Sequence, residues 1–324
     1  MRAVVCKEFG PPEKLVIEEV DDPRPGPGEV LIDIRATAIV FPDTLVIEDK
    51  YQFRQTPPFI PGGEAAGEVV EVGEGVENFA VGDLAMGNLQ GAGGFAERIV
   101  MPAQFAEPIP SSFSPAQATG LMYGLGTCLY GIKHRGRLQP GETLLVLGGS
   151  GHLGVGAIEI GKLLGARVIA AASSAEKLEA CRAAGADEEI NYTSENLKER
   201  AKELTDGRGV DVIFDGVGGD YAEAALRAIA WKGRFLVIGF PAGIPKIPLN
   251  LALLKGCEIV GVFTGGARGK EPAILETVQA ELEAFAAEGH LNVPISRSYR
   301  LEEVPQALRA MMDRKVTGKI VYEP

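Results

Sequence analysis

The segment from Thr143 to Lys177, TLLVLGGSGHLGVGAIEIGKLLGARVIAAASSAEK, limits what this chain can fold into more than any other. An apolar run, Leu144 to Leu147, opens onto Gly148-Gly149-Ser150-Gly151-His152-Leu153-Gly154. A helical pattern follows, and then a second apolar run, Arg167 to Ala172. Strand, glycine turn, helix and strand make a βαβ unit, the context that a G-x-G-x-x-G match needs before it has meaning. Gly149, Gly151 and Gly154 fill the three glycine places. The first permits the tight turn, the second lets the backbone approach a pyrophosphate, and the third lets the helix pack closely on the strand. The helix N-terminus then offers N–H groups and a partial positive charge to the phosphates. The bland alternative is a glycine-rich turn that only packs.

The residue that selects NAD is an Asp or Glu roughly 20 residues past the glycines, where it bonds the ribose 2′-OH. Here the second strand ends at Ala170, Ala171 and Ala172, and Ser173 and Ser174 follow. No carboxylate stands at the tip; Glu176 comes later, beside Lys177, in the first turn of the next helix. Two hydroxyls and a cation suit a 2′-phosphate, whose anionic oxygens need donors and positive charge. The expectation is NADP(H) in preference to NAD(H). Tyr192, after the following strand, can add a phenolic donor. Ser173 or Ser174 can equally be an N-cap, and the two roles are compatible.

At 324 residues the chain is long enough for two domains and a sizeable core. Its net charge of −12, with no basic run, argues against nucleic acid and anionic membrane as partners. No stretch of about 20 apolar residues offers a membrane span. Met1-Arg2-Ala3-Val4-Val5 runs straight into a strand pattern with no signal segment. The four cysteines, Cys6, Cys128, Cys181 and Cys257, are scattered, which fits free thiols in a reducing cytoplasm and neither a disulfide frame nor a zinc cluster.

Residues 1 to about 120 read as short β segments such as Glu29–Ala36, Glu68–Val72 and Ala96–Val100. They are broken by turns such as Pro61-Gly62-Gly63 and Gly91-Ala92-Gly93-Gly94. That spacing suggests an all-β, barrel-like domain. From Leu144 onward strands and helices alternate as far as Glu258–Val262, which means a parallel, doubly wound sheet. Pro272 to Glu288 is amphipathic, with Ile274, Leu275, Val278, Leu282 and Phe285 on one stripe. The end reads strand, helix, strand, and Lys319-Ile320-Val321-Tyr322 is expected to return to the first domain.

Motifs spread along the chain carry a family resemblance. They include FPDTLVIEDKYQF (41–53), PFIPGGEAAGEVVEVGEGV (58–76), YGLGTCLYGI (123–132), LQPGETLLVLGGSGHLGVGA (138–157), DGVGG (215–219) and VTGKIVY (316–322). In this order, and covering nearly all positions, they resemble the zinc-free medium-chain dehydrogenases/reductases of the quinone oxidoreductase group. The resemblance implies an α/β fold: a GroES-like β-barrel catalytic domain (1–122 and 266–324, discontinuous) and a Rossmann doubly wound parallel sheet (123–265), with the active site in the cleft between them. It implies an NADPH-dependent two-electron reductase that assembles as a dimer or tetramer, with a homodimer expected. By motif, Gly149, Ser150, Gly151, His152, Leu153 and Gly154 would hold the pyrophosphate. Ser173, Ser174, Lys177 and Tyr192 would surround the 2′-phosphate. Thr127 would lie by the nicotinamide, and Val217, Gly239, Phe240, Phe263 and Thr264 would line the adenine and nicotinamide sides. Lys319 would reach the cofactor phosphates. The edge strand near Glu258–Thr264 would pair with its twin.

Zinc-dependent relatives hold their ion with Cys, His and Cys. Those places fall at Val40, at Gly63 and near Tyr123-Gly124, none of which supplies a ligand set, so no metal is expected. Without a Lewis acid, acceptors that spread the arriving charge themselves are easier to reduce. A quinone and an α,β-unsaturated carbonyl (an enone or enal) are such acceptors. Relative to the family, Val40 replaces an Asn and Leu45 replaces a frequent Tyr, which leaves Tyr51 and Tyr123 as the candidate proton donors and Thr127 as a carboxamide partner. The alternatives are an enoyl-thioester or acryloyl-type reductase, for which Lys50, Arg54 and Arg268 are candidate phosphate partners, and a non-catalytic NADPH-binding sensor.

Overall fold

The structure, a computed structural model, describes residues 1–89 and 92–324; Gly91 of the turn expected at 91–94 lies outside the described residues. The chain divides into two compact units, Met1–Tyr123 with Asn292–Pro324, and Gly124–Leu291.

In the first unit β1 (Arg2–Val5) pairs antiparallel with β2 (Val16–Glu19). The long strand β3 (Glu29–Ile39) leads into helix α1 (Phe41–Ile47), and β4 (Glu64–Val72), β5 (Leu84–Asn88), β6 (Arg98–Pro102), β7 (Ala106–Pro108) and the short helix α2 (Pro115–Ala118) follow. A helical run over 121–135 carries π turns at Leu121–Leu125 and Tyr130–Arg135 on either side of α3 (Gly126–Leu129).

The second unit alternates: β8 (Thr143–Leu147), α4 (His152–Leu163), β9 (Arg167–Ala172), α5 (Ala175–Ala183), β10 (Glu188–Asn191), α6 (Leu197–Glu203), β11 (Val210–Asp215), α7 (Asp220–Ala228), β12 (Ile229–Val237), α8 (Asn250–Lys255), β13 (Glu258–Gly261), α9 (Thr264–Lys270) and α10 (Pro272–Ala287). The chain then returns to the first unit with β14 (Ile295–Tyr299), α11 (Val304–Met312) and β15 (Lys319–Tyr322).

Strand β3 organises the first unit. Val30, Ile32 and Ile34 point into the core while Asp33 and Arg35 face outward, the alternation that a sheet with one wet face requires. A seven-stranded sheet runs β14-β15-β3-β4-β5-β7, and β6 attaches to β3 as a branch. The apolar faces close on Phe95, Met101, Leu308 and Tyr322.

The second unit holds a six-stranded sheet, order β10-β9-β8-β11-β12-β13, in which every pairing is parallel. Its central strand β8, TLLVL, is buried throughout, as a strand covered by helices on both faces must be. Strand order reverses between β8 and β11, and ligands of such sheets bind beyond the carboxyl ends at that point.

The domain boundary expected at 265/266 is corrected. Helix α10 belongs to the second unit: Leu275, Val278 and Leu282 are buried on one stripe, and Glu281 pairs with Lys133 at 2.6 Å. The stripe is a helix that must bury its apolar face locally, and the crossing to the first unit comes only at Asn292. Strand β13 ends at Gly261, so Phe263 and Thr264 lie past the edge strand, at the start of α9. Leu282 is fully buried. Leu282→Ala should cost about 2–5 kcal/mol of second-unit stability, seen as a lowered denaturant midpoint; an unchanged midpoint would show that α10 is loosely docked.

Candidate functional site

In the second unit the glycine turn joins β8 to α4. Gly148 has φ +70°, in the left-handed region, so the tight turn falls one residue before the first motif glycine. The three-place pattern does not mark Gly148; only its φ shows it. A Cβ on Gly149 would meet Cys181 Sγ at 2.9 Å and Ala170 Cβ at 3.2 Å. One on Gly154 would meet Gly148 O at 2.1 Å and Gly149 Cα at 2.6 Å, which is the close helix-to-strand packing the third glycine permits. One on Gly151 would meet only Gly148 O, at 3.7 Å, and would fill the space before the helix. Gly151 is the N-cap of α4 without a side-chain cap, and the first intrahelical bond runs from Val155 N–H to Gly151 O, so the backbone N–H groups of the first turn face that space. Ser150 is buried beside them. The cradle suits a pyrophosphate.

At the carboxyl ends of β9 and β10 the structure brings together Ser173, Ser174, Lys177 and Tyr192. Ser174 Oγ accepts the Lys177 N–H at 3.3 Å and caps α5, and Lys177 Nζ donates to Ser173 Oγ at 3.3 Å. Ser174 is thus an N-cap, and Ser173 is joined to the Lys177 ammonium on the same strand tip. Tyr192 N–H donates to Ala172 O at 3.1 Å, and its ring lies 4.3 Å from that of Tyr221. Thr193, which sequence reasoning missed, donates through Oγ1 to Ser173 O at 3.1 Å. Glu176 is exposed on α5 and does not join the group.

Beyond β11 and β12, Asp215 Oδ1 accepts the N–H groups of Val217 and Gly218 at 2.9 and 2.8 Å and shapes the DGVGG loop. Asp215 is a second omission of the sequence reading. Ala242 N–H donates to Val217 O at 2.9 Å, and Gly239 N–H donates to Asp215 O at 3.3 Å. Phe240 and Phe263 are exposed, Thr127 is buried on α3, and Thr264 Oγ1 is buried without a hydrogen-bond partner among the described residues. A cavity of about 740 Å³ beside α6 and α7, lined by Lys198, Asp220 and Arg227 among others, shares no residue with the expected site. The glycine turn, with its backbone donors, is the better candidate.

The first unit contains a separate buried polar cluster at the far end of β3. Asp43, in the first turn of α1, is 1% exposed and accepts the N–H groups of Val40, at 2.8 Å, and Gly63. Glu64, at the start of β4, accepts those of Gly120 and Tyr123. Tyr51 Oη and Tyr123 Oη are 3.3 Å apart. Burial raises both phenols, and the negative charge of Asp43 adds to the effect on each. Both hydroxyls therefore keep their protons at neutral pH. Burial likewise pushes the Asp43 carboxyl up to about 7 against the pull of its two N–H donors.

Lys319, expected at the cofactor phosphates, has a different surrounding. It is 3% exposed in the first unit, and its Nζ donates to Gln117 O at 3.1 Å. Its neighbour in charge is Glu64. Among the described residues no three His, Cys, Asp or Glu side chains form a metal-sized group, and no helix is long and apolar enough to cross a membrane.

Residues 26–111 match the alcohol dehydrogenase GroES-like domain, and residues 153–280 match the zinc-binding dehydrogenase family. The chain is 42% identical to a quinone oxidoreductase-like protein 2 homolog of Nematostella vectensis, over 99% of this chain and 88% of that protein. It is 32% identical to a quinone oxidoreductase of Pseudomonas aeruginosa, over 98% and 97%. The structure matches that of Escherichia coli quinone oxidoreductase complexed with NADPH, with a TM-score of 0.90, 26% identity and full coverage of both chains.

Asp43 carries a pH signature. Its folded pKa of about 7 lies above its ordinary 3.8, so between those values the folded chain holds a proton that the unfolded chain has released. The stability tied to this group is complete below pH 3.8 and is lost as pH rises through about 7. Asp43→Asn should flatten that part of the stability profile relative to the parent. Parallel profiles from pH 4 to 7 in urea titrations would show that Asp43 stays ionised.

Proposed function

This chain belongs to the quinone oxidoreductase family of medium-chain dehydrogenases/reductases, and from that premise we propose that it is an NADPH-dependent reductase of quinones or activated alkenes that works without a metal. One observation carries the reading. The carboxyl ends of β8, β9 and β10 form an anion cradle of backbone N–H groups, the Ser173 and Ser174 hydroxyls and the Lys177 ammonium, with no carboxylate at the tip of β9. A carboxylate there would bond a ribose 2′-OH and repel a 2′-phosphate; hydroxyls and an ammonium do the reverse.

NADPH, when bound, supplies a hydride for two-electron reduction. The turn at Gly151 and the first turn of α4 would hold its pyrophosphate, Ser173, Ser174, Lys177 and Tyr192 would hold its 2′-phosphate, and Thr127, Val217, Gly239, Phe240, Phe263 and Thr264 would border the rings. A quinone or an enone carries the arriving negative charge on its own oxygen, so one proton is the remaining need. The Tyr51–Tyr123 pair supplies it: two hydroxyls in contact, both kept protonated by burial. This pair takes the place of the donor that Val40 removes, and it favours catalysis over a sensor role. Two of the cations suggested for a thioester's phosphate are engaged nearby, Lys50 with Glu48 at 2.9 Å and Arg54 with Asp49 at 3.3 Å.

We further propose a homodimer. Strand β13 is an edge of the second unit's sheet, and around it Trp231, Leu249, Leu253, Leu254 and Ile259 are exposed. An unpaired strand edge beside apolar surface is a liability in water that pairing with a second copy removes. The thiols of Cys6, Cys128, Cys181 and Cys257 are free, which agrees with a cytoplasmic protein.

Lys177→Ala should weaken NADPH binding about 10- to 100-fold, the loss of one charge-assisted bond, and leave NADH nearly unchanged in calorimetric titration. Equal losses would remove Lys177 from the 2′-phosphate site. A panel of quinones, enals and an enoyl thioester, followed by NADPH oxidation, tests the activity; no turnover with any of them, despite tight NADPH binding, would favour a sensor. Leu253→Glu should yield monomers in sedimentation velocity if the second copy sits on this face, and an unchanged assembly would move the interface elsewhere.

A further inference from the structure

We propose that Glu64 and Lys319 are positioning residues for Tyr123, clamping the 117–123 turn from two strands so that the Tyr123 hydroxyl meets that of Tyr51. The proposal rests on the reading of the tyrosine pair as proton donor.

The register of the sheet brings the two residues to one place. Strands β4 and β15 both flank β3, with Ala65 opposite Thr37 and Ile320 opposite Ile39. Glu64 and Lys319, the first residues of those strands, therefore stand on either side of the end of β3. Neither reaches solvent to any extent, at 5% and 3% exposed. Burying opposite charges is costly unless each is paired and hydrogen-bonded, and here the bonds converge. Lys319 Nζ takes Gln117 O, and the Glu64 carboxylate takes the N–H groups of Gly120 and Tyr123. The same short turn is thus held by an ammonium at its start and by a carboxylate in its middle and at its end. Gly120, with φ +83°, makes the bend that lets one carboxylate collect both N–H groups.

The electrostatics agree with this geometry. Burial pushes the Glu64 carboxyl up and the Lys319 ammonium down, and each draws the other back toward its charged form. Glu107 on β7 faces Glu64 and opposes its ionisation, and Asp43 lies within reach of the same carboxylate. Glu64 also bears on the Tyr123 phenol, raising it together with Tyr51 and Asp43. One oxygen of Glu64, Oε2, is buried with no hydrogen-bond partner among the described residues.

The test uses the full chain with NADPH and a quinone. Glu64→Gln keeps the shape and removes the charge; the double variant E64Q/K319M removes both charges and leaves none unpaired, so it answers the question if the single variant fails to fold. The Tyr123 phenol is followed by ultraviolet difference titration against Tyr123→Phe. The expected result is a Tyr123 phenol that titrates at lower pH, with kcat reduced by up to about 100-fold, the effect of a small misplacement, and KM for NADPH held within about twofold. The kcat comparison decides, because removing a nearby negative charge lowers a phenol's pKa even where the side chain has not moved. If E64Q and the double variant keep the parental kcat while Tyr123→Phe is impaired, the inference is overturned whatever the phenol does. If Tyr123→Phe is itself fully active, the proton-donor reading falls.

Discussion

The second unit depends on how near a helix can come to a strand turn. At Gly154 a side chain would collide with the carbonyl of Gly148 and the Cα of Gly149, so only a glycine lets α4 start directly above the end of β8. Because the helix starts there, its unbonded N–H groups and the positive end of its dipole face the space before Gly151. The place where this unit offers those backbone donors follows from that one approach. The apolar burial of β8 on both sides fixes the strand that the helix must meet.

In the first unit the constraint is a different one: charge placed where water is scarce. Asp43 caps a helix, Glu64 gathers two N–H groups, and Lys319 takes a carbonyl, all near the end of β3. The two buried acids, Asp43 and Glu64, each accept two backbone N–H groups. The hydroxyls of Tyr51 and Tyr123 meet in the same cluster, 3.3 Å apart.

Much of the fold was legible in the sequence because its periodicities are local. The alternation of apolar runs and amphipathic helices from Leu144 to Gly261 is written in consecutive residues, and so is the glycine spacing. The serine pair and Lys177 were legible for the same reason: they lie within five residues at a strand tip, and the structure joins them. Thr193 was not, because its hydroxyl reaches Ser173 from the turn after the next strand, twenty residues on. Helix α10 was assigned to the wrong unit, since an apolar stripe states that a face must be covered and not which surface covers it.

The amino-acid order alone determined the two fold classes, the glycine turn and the absence of a carboxylate after β9, because each follows from the conformational and chemical preferences of near neighbours. Only the tertiary structure decided the partners of Lys319. Its side chain lies against Gln117 and faces Glu64, residues two hundred or more positions away, and the order of strands around β3 brings them together. Charge pairing in a protein interior is a matter of distance through space and of lost solvent, and neither can be read along a chain before the sheet is assembled.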